Sequence, residues 1–102
     1  MGTERAPGVG AAEAPRHVAV RVRYLSAIRE KTGVRTDDLH LEAGSTLAEV
    51  SRWLKDTYSL TVPAPDVMST LNGQGWSQVP EGLATKLRDG DEIAIFPLLS
   101  GG

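Results

Sequence analysis

Arg88-Asp89-Gly90-Asp91-Glu92-Ile93-Ala94-Ile95-Phe96-Pro97-Leu98-Leu99-Ser100-Gly101-Gly102 is the run on which the reading of this chain turns. Asp and Gly over 88–91 are turn chemistry: Gly tolerates positive φ, and Asp side chains bond nearby backbone. From Glu92 the pattern alternates, with Ile93 and Ile95 on one face and Ala94 and Phe96 on the other, which predicts a strand buried on one side. Pro97 has a fixed φ and no N–H, so it ends that strand. Gly101 and Gly102 lack Cβ atoms and can enter a channel too narrow for any side chain. The strand therefore aims a terminal carboxylate, that of Gly102, at chemistry inside a partner.

Working outward, Gln74 to Glu81 mixes Gly75, Trp76, Val79 and Pro80 and has no clear period, so its conformation stays open. Asn72-Gly73 signals a tight turn after a strand over Val67 to Asn72. Pro63 and Pro65 mark Ser59 to Asp66 as loop. Before it, Leu47, Val50 and Leu54 recur at helical spacing to about Tyr58, with Trp53 and Tyr58 at the edge of the stripe, and Thr46 with Glu49 has the spacing of a capping box. Thr36 to Glu42 reads as a strand with Leu39 and Leu41 inward and His40 outward. Ala27 to Thr32 is a short helix entered at Ser26 and closed by Gly33. Val18, Val20, Val22 and Tyr24 alternate with Ala19, Arg21, Arg23 and Leu25 in a half-buried first strand. Met1 to Arg16 offers only Val9 as a sizeable apolar group and is expected to be a disordered extension.

Strand, short helix, strand, helix, strands is not a regular strand-helix alternation. A mixed sheet packed on one main helix, an α+β fold, is the simplest way to bury both apolar faces. The expected division is an extension over 1–16, a domain over 17–97 and a flexible tail over 98–102.

Composition narrows the function. The 102 residues carry a formal charge of -2 with 24% charged residues, so no basic field exists to hold nucleic acid. There is no cysteine, which excludes disulfides, thiolate nucleophiles and thiolate metal sites. No run is long and apolar enough for a membrane span, and no signal segment is evident, so the cytoplasm is the expected compartment. His17 and His40 lack a nucleophile or ligand cluster, and Asp37-Asp38 and Asp89/Asp91 read as turn and surface acids. No metal site and no catalytic residue is expected.

The 88–97 run, the terminal diglycine and Val20-Arg21-Val22-Arg23-Tyr24-Leu25 together resemble the ubiquitin-like sulfur carriers, nearer to the molybdopterin synthase small-subunit branch than to the thiamine branch. The resemblance spans Val18 to Gly102. It implies a β-grasp fold and a carrier without catalytic chemistry of its own. It also implies that an activating enzyme of the ubiquitin-activating kind uses ATP and Mg to adenylate Gly102, that sulfur then replaces AMP to leave a thiocarboxylate, and that a molybdopterin synthase large subunit or another sulfur-accepting synthase receives the tail. The docking face it implies comprises Leu25 and Phe96, with Trp76, Pro97, Leu98 and Leu99 beside them. Leu98-Leu99 stands where that branch has a second proline and a valine, and the 72–88 segment is longer than in compact members, which bears on the pathway rather than the fold. The alternatives are a modifier joined to lysines through Gly102, a sulfur carrier for thiamine or cysteine synthesis, and a noncovalent interaction module.

Overall fold

The structure, a computed structural model, describes residues 16–98. The extension expected over 1–16 and the tail over 98–102 thus lie outside the described residues, apart from Arg16 and Leu98. In order come β1 (His17–Tyr24), α1 (Ala27–Thr32), β2 (Thr36–Glu42), α2 (Leu47–Tyr58), β3 (Val67–Leu71), β4 (Gln74–Gly75), two short 3-10 turns (Trp76–Gln78 and Gly82–Ala84) and β5 (Glu92–Pro97). The five strands form one sheet in the order β2-β1-β5-β3-β4. β5 runs parallel to β1 and antiparallel to β3, while β1 pairs antiparallel with β2 from His17↔Glu42 to Arg23↔Thr36. This mixed sheet around one main helix is the expected β-grasp.

Two periodicities meet in the core. Val18, Val20, Val22 and Tyr24 of β1 and Ile93 and Ile95 of β5 turn inward at every second residue, and Leu47, Val50 and Leu54 of α2 face them, each of these α2 residues fully buried. Burying one such side chain stabilises the fold by roughly 1.5–3 kcal/mol. The Thr46–Glu49 capping box forms: Glu49 accepts the Thr46 N–H at 2.6 Å and the Thr46 hydroxyl at 2.8 Å. The backbone bond, foremost, holds the Glu49 carboxyl below its ordinary pKa. Gly33 closes α1 in the left-handed conformation, φ 79°.

The Asp-Gly-Asp turn is a fastening. Asp89 Oδ1 accepts the Ala19 N–H at 2.8 Å, and the Gly90 N–H donates to the Ala19 carbonyl at 2.8 Å. Buried Asp91 accepts the Arg88 N–H at 2.7 Å and the Asn72 amide at 3.0 Å. Asn72 in turn accepts the Glu92 N–H at 2.9 Å. The turn so ties β1, β3 and β5 together at the end of β5 opposite Pro97. Asp89 thus serves a backbone donor, and Asp91 one backbone and one side-chain donor.

Trp76 is a correction. Expected on the docking face, it is 3% exposed and belongs to the core cluster. The Asn72-Gly73 turn, with φ 52° and 89°, returns the chain as β4, which pairs Thr70↔Gly75 and Leu71↔Gln74. The 3-10 turn that follows then buries Trp76 and Val79 rather than presenting them.

A polar knot closes the far side of the core. Asp37 on β2 accepts the hydroxyls of Tyr24 at 2.9 Å and Tyr58 at 2.6 Å. The two rings meet edge-to-face at 5.7 Å, and Trp53 meets Tyr58 the same way at 5.7 Å. Burial first, then the bond to Asp37, raises both phenols, Tyr24 well above the ordinary range and Tyr58 up to about 12. A raised phenol pKa favours the neutral form in the fold. Its contribution to stability is therefore complete below the unfolded value of about 10 and disappears as pH rises through the folded values. The chain has only these two tyrosines. Alkaline titration followed by phenolate absorbance should accordingly show no midpoint near 10 while the protein is folded, and a normal midpoint for either ring would contradict the knot.

Candidate docking groove beside the last strand

The site is built where β1 and β5 part. The Leu25 N–H donates to the Ile95 carbonyl at 3.0 Å, the last rung between them. Pro97 has no N–H to continue the ladder, and the Leu25 carbonyl accepts the Ile28 N–H of α1 instead, at 3.1 Å. Ser26, with φ 55° and ψ -133°, turns the chain away into α1 without the expected side-chain cap. That conformation is strained for a residue bearing a Cβ.

On its other side β5 stays paired. Val67 lies opposite Pro97, Met68 opposite Phe96, and the Leu98 N–H donates to the Asp66 carbonyl at 3.0 Å. The chain thus leaves the sheet along β3. An open groove of about 610 Å³ lies beside it, lined by Leu25, Ser26, Met68, Phe96, Pro97 and Leu98. Its apolar lining follows from the pleat: Ile93 and Ile95 take the inner face, so Phe96 takes the outer, and Leu25 follows inward-facing Tyr24. Leu25, Phe96 and Pro97 are half-buried, whereas Met68 is 38% and Leu98 52% exposed.

The structure thus brings together four of the residues expected at the docking face: Leu25, Phe96, Pro97 and Leu98. Trp76 is not among them. Leu99, Gly101 and Gly102 lie outside the described residues. Met68 was missed. Its strand carried the signal, because Ser69 and Leu71 inward place Met68 outward, but the pairing of β3 with β5 that sets it against Phe96 is not a local property.

Farther along the same sheet face the surface becomes polar. Arg23 lies opposite Ala94 and 3.8 Å from the Glu92 carboxylate, and the Arg21 guanidinium donates to Asp38 at 2.9 Å. Asp38, by hydrogen bond and charge, raises the Arg21 pKa further. These pairs are half-exposed, and such pairs add little stability. Arg21, Asp38 and Glu92, together with Ala19 and His40, line a polar flank beside the apolar end. Among the described residues, no three His, Cys, Asp or Glu side chains cluster to hold a metal, and no helix is long and apolar enough to cross a membrane.

Residues 22–102 match the model of the ThiS family. The chain belongs to the ThiS family. The match runs from mid-β1 through the groove to the last glycine, so this ubiquitin-like sulfur carrier and modifier group is the one the diglycine run pointed to. No curated protein matches the chain. Among solved structures, small archaeal modifier protein 1 from Methanosarcina acetivorans is 25% identical with TM-score 0.68, covering 86% of this chain and 100% of that one. The complex of subunits 1 and 2 of molybdopterin-converting factor from Helicobacter pylori includes a chain 26% identical with TM-score 0.56, covering 83% of this chain and 100% of that one. The HVO 2177 protein of Haloferax volcanii, 24% identical with TM-score 0.70 and covering 88% of this chain and 92% of that one, shows the same fold.

Proposed function

We propose that this ThiS family protein is a sulfur carrier for molybdopterin synthesis, loaded at Gly102 by an activating enzyme. The observation that carries this reading is the family match through Gly102, joined to an apolar groove beside the strand that leads to it. A carboxylate is a poor electrophile at neutral pH. Attack of the Gly102 carboxylate on the α-phosphorus of ATP, with Mg supplied at the partner's site, releases pyrophosphate and leaves an acyl-adenylate. Hydrosulfide then adds to the acyl carbon and AMP departs, leaving the thiocarboxylate. Both steps belong to the partner's active site. This chain supplies the acyl group, the reach and the docking face, and acts as cosubstrate rather than enzyme, in the cytoplasm.

The apolar groove suits partner recognition because a concave apolar patch beside a reactive segment gains affinity when a partner excludes water from it. The Helicobacter pylori complex supports a synthase subunit as the acceptor. The test is to incubate the full chain with a competent activating enzyme, ATP and a sulfur donor. The C-terminal peptide should gain about 16 Da, the exchange of oxygen for sulfur. An unchanged C-terminal peptide would end this reading.

The likeness to an archaeal small modifier protein favours a second use, conjugation of Gly102 to lysines through the same adenylate. Diglycine remnants on cellular lysines that depend on this chain would establish it. Their absence across growth conditions would remove it.

A further inference from the structure

Met68 carries the only sulfur atom among the described residues, since the chain has no cysteine and its other methionine is Met1. It lies on the outer face of β3, 38% exposed, directly opposite Phe96 and inside the groove. Its neighbours in the chain, Val67 and Ser69, turn the other way. The thioether is thus open to small oxidants at the one place where a change of polarity alters the groove without entering the core.

We propose that Met68 is a site of reversible oxidation, and that its sulfoxide weakens docking of this groove on the activating enzyme. The proposal rests on the docking reading above. In the step itself the thioether sulfur attacks one oxygen of hydrogen peroxide. The S–O bond forms as the O–O bond breaks, sulfur loses two electrons, and the displaced hydroxide takes the remaining proton to leave as water. A thiol-dependent methionine sulfoxide reductase reverses the step. The new S=O is a strong acceptor among Leu25, Phe96, Pro97 and Leu98, and of the six lining residues only Ser26 has a side-chain donor. When a partner covers the groove, an S=O without a hydrogen bond pays the desolvation cost of a buried, unsatisfied acceptor.

The test has a chemical arm and a functional arm. In the first, the full chain is treated with hydrogen peroxide and Met68 is followed by peptide mapping, since oxidation adds about 16 Da and is nominally indistinguishable from thiocarboxylation in an intact mass. Met68 should oxidise within about threefold of its rate in the urea-unfolded chain, and protection beyond about tenfold would overturn the proposal. In the second arm, pyrophosphate release by the activating enzyme is measured against concentration of the native, oxidised and reductase-treated chains. Oxidation should raise KM about tenfold, the equivalent of about 1.4 kcal/mol, with kcat unchanged and full reversal by the reductase. Met68→Leu, whatever its own KM, should show no change in KM on peroxide treatment, because it carries no oxidisable sulfur in the groove. An unchanged KM for the oxidised chain, with Phe96→Asp still raising KM, would overturn the inference and leave the docking reading standing. If Phe96→Asp also leaves KM unchanged in a stably folded variant, both fall.

Discussion

Truncation at Ser100, removing Gly101 and Gly102, will abolish adenylation by the activating enzyme while leaving the melting temperature unchanged. Reach sets the effect. Two extended residues span about 7 Å, and a displacement of about 1 Å from productive geometry can cost a hundredfold. A carboxylate moved back by two residues should therefore lose more than about a thousandfold in rate. The fold is indifferent to the change because β5 ends at Pro97 and the last described backbone bond is Leu98 N–H to Asp66. ATP-pyrophosphate exchange and thermal unfolding measured on the same sample decide the matter. Retained exchange, or retained cellular function, would favour a noncovalent interaction module over a carrier.

Trp76→Ala will act in the opposite sense, lowering stability and affecting activation only through it. Truncating a buried tryptophan costs about 3–5 kcal/mol, a large part of the roughly 5–15 kcal/mol that holds a domain together. With each kcal/mol worth about 4–8 °C in a domain of this size, the melting temperature should fall by about 15 °C or more. Trp76 Nε1 is buried without a hydrogen-bond partner, so Trp76→Phe loses volume but no bond and should be much milder. Leu25→Ala and Phe96→Ala, at half-buried positions on the outer face, should cost less than Trp76→Ala and chiefly raise the KM for activation. A Trp76→Ala protein that melted normally yet failed to be adenylated would return the indole to the docking face.

These contrasts mark where local pattern suffices. β1, α2 and β5 were legible because their periods of two and about three and a half residues are written in consecutive side chains. The capping box at Thr46 and Glu49 and the turn at Asn72-Gly73 are likewise short-range. Ser26 was a miss of detail: the helix begins there, but through a strained backbone turn rather than a side-chain cap. The 74–81 segment was opaque because a two-residue strand and a single 3-10 turn are too short to show any period.

The groove divides in the same way. Leu25 and Phe96 could be assigned outward from the alternation of their own strands, and Pro97 follows from its place at the strand's end. Met68 could join them only once β3 was known to pair with β5, and Trp76 could leave them only once β4 had folded it into the core. Residue order alone was enough for the alternating strands, the amphipathic helix, the acidic turn and the two closing glycines, since each follows from propensities and spacings within a few residues. The place of β5 between β1 and β3, the acids that fasten the sheet and the apolar residues that line the groove emerge only in the folded chain. Those outcomes depend on pairing and burial between segments far apart in the chain, where competition for one core, not local preference, selects the side chains left outside.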